Sequence, residues 1–302
     1  MLALIAPGQG SQTSGMLTSW INDPTLKNLL KQWSTDIDLD LLRLGTTAGA
    51  DEIKDTANAQ PLIVATSLLT SHALGIKNVA LVSGHSVGEL AAASICGAIT
   101  DTDALRLVRA RGIEMAKAAA LIPTGMSAVL GGDRAHVLTS IESLGLVAAN
   151  ENGAGQIVAA GDLTALVLLG ENPPHGARVR PLAVAGAFHT SYMATAVAPL
   201  AELAATISTR VPVIPVVSNR DGALINQADE ILTRIVNQIT HAVRWDLCME
   251  GFKSMGVTGV IELAPAGTLV GLLKRAAPDI ESFALKNSAD LGAAQEFAER
   301  HA

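Results

Sequence analysis

A chain of 302 residues, 49% hydrophobic and only 16% charged, is no disordered polymer and has room for one large or two modest domains around a sizeable core. Its formal net charge of -7 and aromatic content of 3% exclude nucleic acid as a partner, because both phosphate neutralisation and base stacking are missing, and leave small molecules or a protein. Cys96 and Cys248 have no metal-ligating neighbours and resemble no disulfide framework, so buried thiols in a reducing compartment and no metal site are expected.

Residues 2–6 form a short apolar run closed by Pro7-Gly8, which predicts a buried first strand ending in a turn. The start carries no basic segment, and its apolar run is too short for a signal peptide or a membrane span; a cytoplasmic protein without membrane contact is expected. From 23 to 76 the pattern is helical, with Leu26, Leu29, Leu30 and Trp33 at helical spacing and Pro61 expected to open a further helix. Residues 79–83 predict a second strand, 87–96 a helix, and 101–121 another whose Asp101-Thr102-Asp103 entry suits a helix N-terminus.

The middle breaks this rhythm. Strand 126–130, helix 133–144, strands 146–150 and 156–160, helix 162–169 and strand 178–184 follow in the order βαββαβ, the ferredoxin-like unit. Pro123-Thr124-Gly125 and Gly186 punctuate its two ends as they would an insertion. Strands at 214–217, 259–263 and 282–285 then alternate with helices. The fold class expected is α/β: a large, mostly parallel-sheet, α/β-hydrolase-like domain from 1–122 and 187–302, with a small ferredoxin-like subdomain at 123–186.

Between the second strand and its helix lies Gly84-His85-Ser86-Val87-Gly88-Glu89. The G-x-S-x-G pattern flanks a serine with glycines because a nucleophile on a sharp strand-to-helix turn leaves no room for side chains. Ser86 is thus the expected nucleophile, passing acyl groups through an ester. The Val87 amide, at the start of the following helix, points at the attacked carbonyl and supplies half an oxyanion hole. Adjacent parallel strands deliver their turns to one edge, so the Gln9 amide, in Gly8-Gln9-Gly10-Ser11-Gln12, is expected to complete it. Read as a dinucleotide fingerprint, that turn lacks the third glycine, with Thr13 in its place.

A serine needs a base. Of seven histidines, His301 falls in the C-terminal tail, His136 and His175 in the inserted unit and His72 inside a helix. His85 adjoins Ser86, but neighbouring side chains on extended backbone point apart, so it is expected to support the turn. His189, in Gly186-Ala187-Phe188-His189, sits where the chain re-enters the large domain among small residues, and stands ahead of His241 as the base. Asp221, Asp229 and Asp246 carry no motif that would complete a triad, and a backbone carbonyl can orient the imidazole equally well.

Pro7-Gly8-Gln9-Gly10-Ser11-Gln12, the hexapeptide at Ser86, Arg109-Ala110-Arg111-Gly112, Gly186-Ala187-Phe188-His189, and Asn237-Gln238 through Val243-Arg244-Trp245 together resemble the malonyl-CoA:acyl carrier protein transacylases of fatty-acid synthesis, most closely the stand-alone actinobacterial type. The match runs over essentially the whole chain. It implies ping-pong transfer of malonyl from malonyl-CoA through Ser86 to the phosphopantetheine thiol of acyl carrier protein, with His189 as base and then acid and the carbonyl near Gln238 holding the imidazole. No cofactor is expected to be bound: coenzyme A arrives as the substrate's thioester and phosphopantetheine on the partner.

Periodicity places Arg109 and Arg111 on opposite flanks of an apolar helical stripe and does not choose between them. The resemblance puts the arginine that binds the substrate carboxylate immediately before glycine, which selects Arg111. It also ties Phe188, before the base, to malonyl rather than methylmalonyl use. Ala264-Pro265-Ala266 departs from the family's Gly-Pro-Gly turn, which puts that turn's backbone in question. Lys274-Arg275 and Arg234 with Arg244 are candidate contacts for an acidic carrier. The alternatives are a serine esterase or thioesterase, and a catalytically silent scaffold that docks carrier protein.

Overall fold

The computed structural model describes all 302 residues as a mixed α/β fold with two sheets and thirteen α-helices. The strands are β1 (Leu2–Ala6), β2 (Leu81–Gly84), β3 (Thr124–Gly131), β4 (Val147–Gly153), β5 (Gln156–Asp162), β6 (Ala177–Pro181), β7 (Val216–Val217), β8 (Leu224–Ile225), β9 (Val243–Arg244), β10 (Gly259–Glu262) and β11 (Glu281–Ala284).

The larger sheet runs in the order β11-β10-β1-β2-β7-β8, parallel except for the edge strand β8. Every residue of β1 is buried, as a strand covered by helices on both faces requires, and its continuous apolar sequence follows from that. Pairing of Ala6 with Gly84 brings the turns after β1 and β2 side by side, and the His85 amide donates to the Ala6 carbonyl. Pro215, which has no amide hydrogen, precedes β7 and accepts from Val82, so the strand expected from 214 is ordered as a ladder only at Val216.

The expected helix start at Pro61 is wrong. One helix, Thr56–Leu74, contains Pro61 in its interior and begins five residues earlier, where the Asp55 side chain accepts from the Ala57 amide. A proline there leaves the carbonyl four residues back without its helical donor, and the Arg109 guanidinium donates to that Ala57 carbonyl at 2.8 Å. This helix is buried almost all round and packs on Asp101–Leu121.

The smaller sheet has the order β6-β3-β5-β4-β9. Neighbours among its first four strands run antiparallel, and these are the four strands expected between 126 and 184, the last of which ends at Pro181; their helices, Arg134–Ser143 and Leu163–Glu171, cover a separate core of Val129, Val137, Ile141, Leu146, Ile157, Leu166 and Leu169. The two-residue β9 joins this sheet from far along the chain, parallel to β4. Such a short strand carries no alternation that a sequence could reveal.

At Ala264-Pro265-Ala266 the buried Glu262 carboxylate accepts from the amides of Gly267, Leu269 and Val270, so the helix Thr268–Ala276 starts on a firm cap despite the alanines. No helix is long and apolar enough to cross a membrane.

Candidate active site

The turn after β2 is compressed. A Cβ on Gly84 would lie 2.0 Å from the Gly88 carbonyl carbon, and one on Gly88 would lie 2.3 Å from the Ala6 carbonyl oxygen. Only glycine fits either place. Between them Ser86 is held at φ 52°, a left-handed conformation that costs a residue bearing a side chain about 1–3 kcal/mol. The strain lifts Ser86 Oγ out of the turn, and the Ser86 amide is tied down by donating to Asn219 Oδ1 at 2.7 Å.

His189 meets it from a second strained position, φ 62°. Gly186 allows this approach, since a Cβ there would lie 2.8 Å from Ala119 Cβ. His189 Nδ1 is 2.8 Å from the main-chain oxygen of Gln238, which can only accept, so Nδ1 carries the hydrogen. Nε2 is then the acceptor, and it receives the Ser86 hydroxyl at 2.7 Å. Burial, reinforced by the nearby Arg111 guanidinium, pushes the imidazole down to about 3, so it is a neutral proton acceptor at neutral pH.

Arg111 is 1% exposed. Its guanidinium donates to Gln60 Oε1 at 2.7 Å and Gln238 Oε1 at 3.0 Å, and Nη2 lies 3.4 Å from Ser86 Oγ. Nε is buried without an acceptor. Burial lowers the guanidinium to about 10, opposed by Glu89, and it stays charged. Arg109 points the other way, to Ala57, so the geometry separates the two arginines that periodicity left equal.

A cavity of ≈ 230 Å³ opens on Ser86 and His189, with Gln9, Gln60, Met126 and Phe188 among its walls. It lies between the sheets: β3, β4 and β5 contribute from one side, and the turn after β1 and the helix Thr268–Ala276 from the other. Gln9 is fixed by its side chain, which donates to Thr56 Oγ1 and accepts from Gln60. The main-chain amides of Gln9 and Val87 donate to no protein acceptor. Phe188 is buried, next in the chain to His189.

His85 makes no bond to Ser86. Its Nε2 meets Asn152 Oδ1 at 2.9 Å, its ring packs edge-on to Trp245, and burial depresses its basicity. His241 is exposed and turned to the Asn237 carbonyl. Asp221 and Asp246 pair with Arg234 and Arg244, and Asp229 accepts from Thr209, so none of the three reaches the imidazole.

Three residues escaped the sequence reading of roles. Glu89, 3% exposed, accepts from the Asn219 amide and from Gln238 Nε2, both at 2.6 Å; burial raises its carboxyl to about 7. Asn219 orients the serine turn, and Gln60 anchors Arg111. Only Glu89 carries a signal, as the one charged residue in a helix of otherwise small and apolar residues; Gln60 shares its helix with Asn58, Thr66, Ser67 and Thr70 and does not stand out. Asn219, after a two-residue strand, offered none.

A family model described as acyl transferase domain matches residues 4–294. The malonyl CoA-acyl carrier protein transacylase of Mycobacterium tuberculosis is 52% identical over 96% of this chain and 98% of its own length. The crystal structure of MCAT from Mycobacterium tuberculosis superposes with a TM-score of 0.94 at 52% identity, covering 97% of this chain and 99% of that one. A structure of a type II PKS acyl-carrier protein in complex with its malonyl-transacylase matches with a TM-score of 0.91 at 30% identity, over 98% of this chain and 99% of that one. By sequence and structure alike, the chain belongs to the acyl transferase family, alongside the malonyl CoA-acyl carrier protein transacylases.

Proposed function

We propose that this acyltransferase moves a malonyl group from malonyl-CoA to the phosphopantetheine thiol of acyl carrier protein through an ester on Ser86, supplying extender units for fatty-acid synthesis. The observation that carries the reading is the position of Ser86 Oγ, 2.7 Å from the base His189 and 3.4 Å from the guanidinium of Arg111.

His189 Nε2 takes the hydroxyl proton as Oγ attacks the thioester carbonyl. The amides of Gln9 and Val87 receive the oxyanion, each worth roughly 3 kcal/mol to the transition state. The C–S bond breaks, the His189 proton passes to the departing coenzyme A sulfur, and malonyl-Ser86 remains. The carrier thiol then gives its proton to His189, attacks the ester, and the same proton returns to Ser86. Gln238 holds the imidazole through its main-chain oxygen, so a Ser-His pair suffices without a carboxylate. Arg111 pairs with the free malonate carboxylate, and Phe188 bounds the acyl pocket. The substrates bring their own thioester and thiol, so no resident cofactor enters this scheme.

The fold supports a finer division into a hydrolase-like body, 1–122 with 187–302, and a ferredoxin-like subdomain, 123–186. Support for the latter is the spatial order β6-β3-β5-β4 of its antiparallel strands. Free, buried Cys96 and Cys248 favour a reducing cytoplasmic location. The deciding assay incubates the protein with malonyl-CoA with and without acyl carrier protein. Malonyl-carrier is expected to outpace free malonate; predominant hydrolysis would return the chain to the esterase reading, and the absence of a malonyl adduct on Ser86 to the silent scaffold.

A further inference from the structure

Glu89 is the one charged residue of the helix Gly88–Ile95 and is buried at the centre of the hydrogen bonds described above. Both its oxygens accept, from the Asn219 main-chain amide and from Gln238 Nε2. An amide side chain has an accepting end and a donating end of nearly equal size, so its orientation is chosen by its neighbours. At Gln238 two acceptors, Glu89 and Asn219 Oδ1, hold Nε2, which turns Oε1 toward Arg111. At Asn219, donation from Nδ2 to the Gly84 carbonyl leaves Oδ1 facing the Ser86 amide.

We propose that Glu89 is a positioning residue for acyl selection: through the Gln238 amide it fixes Arg111 beneath Ser86 in the orientation that receives a carboxylate. This rests on the reading of Arg111 as the partner of the malonate carboxylate. Arg111 is held by the neutral oxygens of Gln60 and Gln238, with Ser86 Oγ at 3.4 Å, an anchor that leaves its charge free for a substrate anion. A carboxylate touching it directly would compete with that anion; at one remove, Glu89 orients Arg111 without occupying it. A second cavity of ≈ 180 Å³, sharing no wall residue with the one at Ser86, reaches Glu89 beside Arg220, Arg234, Gln238 and His241. Burial raises the Glu89 carboxyl to about 7, opposed by the Asn219 amide and by Arg111 and Arg234.

Glu89→Gln places one donor where two acceptors stood. With its oxygen kept on the Asn219 amide, its NH2 faces Gln238 Nε2, and the clash is relieved by rotating the Gln238 amide so that a donor confronts Arg111. The measurement is the second-order rate of Ser86 acylation by malonyl-CoA and by acetyl-CoA, followed by intact mass, with a thermal melt to establish folding. The malonyl rate is expected to fall roughly tenfold or more beyond any fall in the acetyl rate, the size of a lost hydrogen bond to a charged group. Gln238→Met, which keeps the main-chain oxygen for His189 and deletes the amide, is expected to shift the ratio in the same direction and decides the matter if Glu89→Gln does not fold. Equal losses for both acyl groups, or an unchanged ratio in folded variants, overturn the proposal. Arg111→Ala run in parallel separates the two readings: if it too leaves the malonyl preference intact, the role of Arg111 fails; if it alone abolishes the preference, the role of Glu89 fails.

Discussion

The imidazole of His189 is oriented by a main-chain oxygen, that of Gln238, 2.8 Å from Nδ1, and not by a carboxylate. The imidazole therefore has no anion to raise its basicity, while burial and Arg111 lower it to about 3. Between about pH 3 and 6.5 the unfolded chain holds a proton on this histidine that the native protein does not, so stability is lost as pH falls through that window. Glu89 runs the other way: burial holds its carboxyl at about 7 against an ordinary 4.5, so stability is lost as pH rises from 4.5 toward 7.

The two slopes overlap and oppose. His189→Gln is expected to expose the Glu89 slope, with stability falling as pH rises from about 4.5 to 6.5, and Glu89→Gln the His189 slope, rising over the same range, each approaching about 1.4 kcal/mol per pH unit. Denaturant melts at four or five pH values check this. Parallel profiles for the parent and both variants would show that neither group titrates as described.

Arg111→Ala is expected to lower malonyl transfer by the equivalent of about 2–5 kcal/mol, as truncating one partner of a buried charge pair does, while acetyl transfer persists or improves. It should also raise the His189 pKa, because the guanidinium is the second cause of its depression. Histidine-selective NMR reads the second effect, and initial rates with malonyl-CoA and acetyl-CoA the first. Equal loss for both acyl groups would make Arg111 structural.

Strain at the nucleophile gives a separate test. Ser86→Gly and Ser86→Ala are both expected to abolish acyl transfer, but only glycine accepts φ 52° freely. Ser86→Gly is expected to be more stable than Ser86→Ala by about 1 kcal/mol, measured by thermal or denaturant unfolding. Equal stabilities would mean the turn relaxes when the hydroxyl is removed.

The parts of this molecule that were legible in its sequence are those where local chemistry and fold agree. Gly84 is forced by backbone contacts within its own turn and Gly88 by the neighbouring strand end at Ala6, where the G-x-S-x-G pattern already demands small residues, and the βαββαβ order announced itself through alternating elements with glycine and proline at their joints. Pro61 misled because its helical cost is offset from outside the helix, by Arg109, in a contact spanning 52 positions. Glu89 stands out as a lone charge, but its role and that of Asn219 are illegible for a related reason: they act through Gln238 and the Ser86 amide, 149 and 133 positions away, and only the assembled core puts them together. The choice of Arg111 over Arg109 needed the family likeness first and the buried geometry second.

Carrier docking gives the last prediction. Arg234 is committed to Asp221 and Glu230, and Arg244 to Asp246, so neither offers a free cation to an acidic partner. Lys274 and Arg275 are exposed in the last turn of Thr268–Ala276, the helix whose residues Thr268, Leu269 and Leu272 wall the Ser86 cavity. At 1.5 Å per residue, Lys274 stands roughly 9 Å along the axis from Thr268, close enough for a carrier bound there to feed its phosphopantetheine into the cavity. Charge reversal of both, Lys274→Glu with Arg275→Glu, is expected to raise the carrier KM several-fold at low ionic strength and to lose most of that effect in high salt. Acylation of Ser86 by malonyl-CoA, measured alone by mass, should keep its rate. If the carrier step is indifferent to the reversal, this end of the helix is not where the carrier sits; if both half-reactions slow together, the substitutions have disturbed the cavity wall instead.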